Sequence, residues 1–198
     1  MSVSEVQDVL KENDGSLPDI EFDFGNAPIA ADAYALVQDR ATAEESSFGH
    51  YWSKSRSLDC PIVFGENPAL ALVEGDAGPF HVCFGGIKSQ SGAALPHLGF
   101  YVLDKCSISL DLRMGPEWSN EAIVGLFELV RDVCSLSSPV SVSHRGNDYD
   151  PGGETFLSGF QRWLEANSNL NVASGWLQPT RFRGPLWALT IRSSGPRR

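Results

Sequence analysis

An α+β fold is predicted: a single, mostly antiparallel sheet with helices packed on one of its faces. Two stretches, Asp19–Phe24 and Ser107–Arg113, alternate polar and apolar residues with a period of two. Strands do this when one sheet face meets a core and the other meets water. Residues 120–134 repeat apolar residues at helical spacing, which gathers them into one stripe. Between residues 61 and 113, short apolar runs are punctuated by Gly65, Pro68, Gly75, Gly78, Gly85, Gly86 and Pro96. That is the spacing of strands and turns.

Taken in order, Val3, Val6, Val9 and Leu10 predict a helix over 3–12, capped by Ser2 and stopped by Asp14-Gly15-Ser16. In the next strand Ile20, Phe22 and Phe24 share one face, and Asp19, Glu21 and Asp23 the other. Residues 28–43 predict a helix with Pro28 in its first turn and Ala30, Ala33, Tyr34, Val37 and Ala41 as its stripe. The acid-rich Glu44-Glu45 follows, and His50-Tyr51-Trp52 opens an irregular region. Strands are expected at Pro61–Phe64, Ala69–Val73, Phe80–Phe84, Leu98–Leu103 and Cys106–Arg113, with Asp104-Lys105 as a hairpin link. Ser119 caps the next helix, and Glu121 opposes the positive end of its dipole. Its stripe is Ile123, Leu126, Phe127, Val130, Val133 and Cys134; Trp118, just before the cap, reads as a staple onto the sheet, with an exposed anchor as the alternative. A strand Pro139–His144, a polar loop Arg145–Gly153, a helix 154–166 and a strand Leu186–Arg192 complete the series. One domain is expected over 1–198, with 1–27 as an acidic N-terminal arm and 193–198 as a frayed tail.

Composition narrows the function classes. A chain of 198 residues that is 42% hydrophobic can bury a core without staples. No apolar run approaches the roughly 20 residues of a membrane span, so no membrane partner is expected. Met1–Asp8 has neither a basic nor an apolar leader region, so a cytoplasmic product is expected. The net charge is −10, and it is uneven. Residues 1–50 hold 11 acids against Lys11 and Arg40, whereas the rest holds 14 acids and 13 bases; five arginines and no acid follow from residue 181. Such a surface repels phosphate, which argues against nucleic acid as the ligand. It suits a basic protein partner, although solubility alone would also account for it.

The sequence offers no catalytic signature. GxGxxG, a Walker loop, HExxH, GxSxG and the zinc-deaminase pattern are all missing. Cys60, Cys83, Cys106 and Cys134 form no CxxC pair, and free thiols behaving as small hydrophobes are expected. His81 and Cys83 would share one strand face as two zinc ligands do, but a structural zinc site needs four. No metal and no cofactor are expected. The loop His144–Glu154 sets Asp148, Asp150 and Glu154 near His144, the residue types of acid–base work. Asn, Asp and Gly there equally supply turn geometry. An enzyme of unknown class using His144 with those carboxylates is the alternative reading, and a non-catalytic scaffold is a third.

The strand ending Leu110-Asp111-Leu112-Arg113, then Met114-Gly115-Pro116-Glu117-Trp118, then a helix carrying Leu126-Phe127-Glu128-Leu129, has a distinctive order. With Tyr51-Trp52 upstream, it resembles the immunity proteins of bacterial polymorphic-toxin systems, those of contact-dependent and type VI secretion. The resemblance covers about half the chain and brings no catalytic residue. It implies a stoichiometric inhibitor that covers the active site of a cognate toxin, a nuclease among the candidates. The acids expected to meet a basic toxin surface are Asp19, Glu21, Asp23, Glu44 and Glu45, with Asp148 and Asp150 as further contacts.

Overall fold

Alternation along two strands decides which side of the main sheet is dry. Strand β1 (Asp19–Asp23) buries Ile20 and Phe22, and β7 (Ser107–Leu112) buries Ile108, Leu110 and Leu112. The two pair antiparallel with Ile20 opposite Leu110 and Phe22 opposite Ile108, so these five side chains form one apolar patch. The computed structural model describes residues 3–13, 15–145, 151–173 and 189–193.

The remaining elements are α1 (Val3–Lys11), α2 (Ala30–Gln38), β2 (Thr42–Phe48), β3 (His50–Ser53), β4 (Leu58–Pro61), α3 (Pro68–Val73), β5 (Phe80–Gly85), β6 (Leu98–Asp104), α4 (Asn120–Cys134), β8 (Val140–Arg145), α5 (Pro151–Ala173) and β9 (Leu189–Ser193). The main sheet runs β2-β5-β6-β7-β1-β8-β9, and β3-β4 form a separate hairpin. All pairings in the main sheet are antiparallel except β8 with β9. The fold is therefore α+β with a mostly antiparallel sheet, as the alternation predicts.

Helices cover the dry face. Helix α2 contacts β6 and β7, α5 contacts β8, and α1 bridges α4 and α5. Ser119 caps α4 by accepting from the Ala122 amide at 3.1 Å. Phe127 of α4 sits against Phe156, Phe160 and Trp163 of α5, with ring centroids 5.5, 5.6 and 5.8 Å away. A second aromatic group joins Tyr34 to Phe80, Phe84 and Phe100. Trp118 is fully buried; its indole N–H donates to the Arg113 carbonyl at 2.8 Å, and its own carbonyl accepts from Gln7. It ties the end of β7 to the middle of α1 and the start of α4, which is the staple role. Across the helical layer, Arg40 reaches the buried carboxylate of Asp132 at 2.7 Å, and Arg131 holds its other oxygen.

Several expectations need correction. Residues 69–73, expected as a strand, lie in helix α3: Pro68 fills the first turn and Asn67 accepts from the Ala69 amide, a capped start that favours helix for an Ala–Leu run. The helix expected over 28–43 stops at Gln38, and Thr42–Phe48, with Glu44 and Glu45, becomes the edge strand β2. Gly85 allows that: a Cβ there would overlap the Glu45 carbonyl. The irregular region after His50 is the β3–β4 hairpin, which ends at Pro61 where a strand was expected to begin. Helix α5 starts at Pro151 and runs past residue 166. The described residues among 3–27 pack onto the rest of the fold. Val6 and Leu10 are buried in the helical layer, and β1 lies inside the sheet between β7 and β8, because its apolar face has nowhere else to go. Of the last expected strand, 189–192 fall in β9, whereas 186–188 and the tail beyond 193 lie outside the described residues.

Candidate functional site

The wet face of the main sheet is acidic. Opposed residues of an antiparallel pair point to the same side, so the registers assemble this face directly. Asp19 stands opposite Asp111, and Glu21 opposite Ser109. Asp111 in turn stands opposite Gly99, Ser109 opposite Tyr101, and Tyr101 opposite His81. Asp19, Glu21, His81, Tyr101, Leu103, Ser109 and Asp111 together line an open recess of about 380 Å³. Asp23 extends the face at the end of β1, exposed, accepting from the Gly25 amide at 2.8 Å.

The centre of the recess depends on a missing side chain. His81 Nε2 meets Asp111 Oδ2 at 2.9 Å, although β6 runs between their strands. The pair passes over Gly99. A Cβ at Gly99 would lie 2.6 Å from both of those atoms, well inside van der Waals contact.

The electrostatics follow from that contact. The hydrogen bond to Asp111 raises the His81 pKa above that of a free histidine, burial opposes this, and the charges of Asp111 and Asp19 add to it. For Asp111, burial pushes upward, but hydrogen bonds with His81 and Asp19 and the His81 charge outweigh it and hold its pKa low. The signs give a window. His81 contributes stability below the pKa of a free histidine and loses it as pH rises through its own raised value. Asp111 contributes above the ordinary carboxylate pKa and loses it as pH falls through its lowered one. The pair is thus strongest at mildly acidic pH. Gly99→Ala is expected to separate it and return the His81 pKa towards that of an unpaired histidine, as read from ring proton shifts across a pH titration. An unchanged His81 titration would mean that clearance over Gly99 does not hold the pair.

The other sequence-derived residues are scattered. Glu44 and Glu45 are exposed on β2, separated from β1 by β5, β6 and β7; Glu45 lies 3.9 Å from His97. Asp148 and Asp150 lie outside the described residues. His144 sits on the dry face, 2% exposed and stacked on Phe156 at 5.1 Å, whereas Glu154 is exposed on α5. The structure therefore places His144 in the core rather than in an open cleft. His81 faces the recess, while Cys83 is half-buried and its thiol pKa is raised by burial. Cys60 and Cys134 are buried, Cys83 and Cys106 half-buried, and all four are free thiols. Among the described residues no group of three His, Cys, Asp or Glu is placed to hold a metal ion, and no helix is long and apolar enough to cross a membrane. Asp111, Tyr101 and Ser109 were not singled out as site residues from sequence. Their one signal is Gly99, a glycine inside a strand, which marks close approach by other groups.

No protein-family model and no curated protein sequence matches the chain. Among solved structures it is similar to the Pseudomonas aeruginosa T6SS protein PA0821, with a TM-score of 0.35 and 11% identity. That likeness covers 67% of this chain and 43% of the other, so the chain spans less than half the length of that protein.

Proposed function

We propose that the chain is a stoichiometric protein inhibitor, an immunity protein that neutralises a cognate toxin by covering a basic surface on it. The observation that carries this is the wet sheet face, where Asp19, Glu21, Asp23 and Asp111 are gathered from two adjacent strands. A nuclease cleft built for phosphate presents the opposite charge. A preformed acidic face steers such a partner in quickly and excludes its substrate. A sheet is a stiff platform, so little conformational entropy is lost on docking. The inhibitor acts in the cytoplasm, where its toxin would do damage. The enzyme reading through His144 gains nothing from that residue's place in the core.

The test is affinity capture with the intact chain from the cells that make it, followed by assay of whatever is captured. The expected result is one basic protein bound at equal stoichiometry and inactive in the complex. Failure to find such a partner, together with turnover of a small molecule by the chain itself, would overturn the proposal.

A further inference from the structure

We infer that the recess over Ser109 is a socket for an arginine side chain of the protein partner. The inference rests on the inhibitor reading and adds the chemistry by which the partner is held.

Charge is the first argument. Asp19 and Asp111 stand directly opposite each other, so their side chains project from neighbouring strands on the same face. Two carboxylates side by side concentrate negative charge, and a guanidinium laid between them would make charge-assisted hydrogen bonds to both. Glu21 on the same wall adds to the attraction.

The floor supplies an independent argument. Ser109 is 3% exposed, and its hydroxyl oxygen makes no hydrogen bond of good geometry among the described residues. It lies near enough to Asp111 to help lower that carboxyl pKa, but the geometry leaves its bonding capacity unfilled. A buried hydroxyl without a bond is destabilising, so a donor entering from the recess would be favoured there. Tyr101 completes the fit. It is half-buried beside His81, with ring centroids 6.1 Å apart, and lines the same recess. A planar guanidinium can stack on a tyrosine ring while its edge donates to carboxylates; an ammonium offers a point charge and no plane.

His81 makes the socket sensitive to acid. The groups facing it are Asp111 from β7, Asp19 and Glu21 from β1, Tyr101 on β6 and Cys83 on its own strand, with Arg113 just past the end of β7. Protonated His81 adds a positive charge beside the one the socket is to receive. Arginine binding should therefore weaken as pH falls through the raised His81 pKa.

The experiment titrates the isotope-labelled intact chain with N-acetyl-arginine methylamide, the lysine analogue and the uncharged citrulline analogue, following backbone amides by NMR. The expected result is saturable shifts at Gly99, Tyr101, Ser109 and Asp111 with the arginine compound. Smaller shifts are expected with lysine and none with citrulline. Ser109→Ala and Tyr101→Leu should each weaken arginine binding severalfold, and acid should weaken it in the parent chain but not in His81→Gln. Equal shifts with citrulline, or diffuse unsaturable shifts across the acidic surface, would overturn the socket. So would loss of the four amide shifts while a protein partner is still captured, which would leave the inhibitor reading standing. Saturable arginine binding with no protein partner captured would leave a cation site and remove the inhibitor.

Discussion

Neutralising Asp19, Glu21 and Asp23 together, as Asp19→Asn, Glu21→Gln and Asp23→Asn, is expected to slow association with the proposed basic partner about tenfold or more at low ionic strength. The deficit should shrink as salt shortens the screening length to about 8 Å at physiological strength. Dissociation should change less, since steering acts on encounter. Neutral amides are a better choice than lysines here. Asp19 and Glu21 are half-buried at the middle of the sheet, and a reversed charge would disturb the fold as well as the field. The matching change at Glu44 and Glu45 should do less, because those residues lie on the far edge strand. A change at Asp148 and Asp150 should also do less, because the chain around them is close to neutral. Stopped-flow kinetics across ionic strength would decide. An unchanged rate and salt slope in the triple variant, with binding abolished by the Asp148/Asp150 change, would move the docking surface elsewhere.

Phe127→Ala is expected to cost about 3–5 kcal/mol of folding stability. The ring is fully buried and touches three aromatic side chains of α5, so its removal leaves a cavity that rigid neighbours cannot close. The comparison is Leu70→Ala on α3, where the side chain is 54% exposed and the effect should stay within about 0.5 kcal/mol. Denaturant unfolding measures both. A loss below about 1 kcal/mol for Phe127→Ala would mean that α4 and α5 do not pack as described.

Sequence periodicity read the dry side of this molecule well and the wet side poorly, and the reason is physical. Apolar residues announce their own burial: Ile108, Leu110 and Leu112, and the stripe of α4, lie where their spacing sends them. Polar residues on a sheet face acquire meaning only from register. Ser109 and Asp111 can be placed on the wet side of their strand from alternation alone, and His81 on one side of its own. That Asp111 meets His81 across an intervening strand, over Gly99, follows from pairings between segments far apart in the chain. His144 shows the converse. Its neighbours Val140 and Val142 share its face and are buried, so alternation already pointed it inward, but the acids beyond it suggested chemistry. Ala69–Val73 could be read from composition as either element; the cap at Asn67 and Pro68 settled it.

Strand β1 has a further consequence, one of timing. Its two partners, β7 and β8, begin at residues 107 and 140, whereas β1 itself starts at residue 19. A chain made from its N-terminus presents Ile20, Phe22 and Phe24 to solvent long before either partner strand exists. These rings and branched chains must stay unpaired, or find temporary cover, until most of the molecule has been made. Closing such distant pairings is slow, and an apolar strand waiting with both edges open is prone to join other chains. The alternate residues in that strand are Asp19, Glu21 and Asp23. Their mutual repulsion between copies opposes stacking of waiting chains during synthesis, so the same three acids that mark the finished surface also guard the unfinished one.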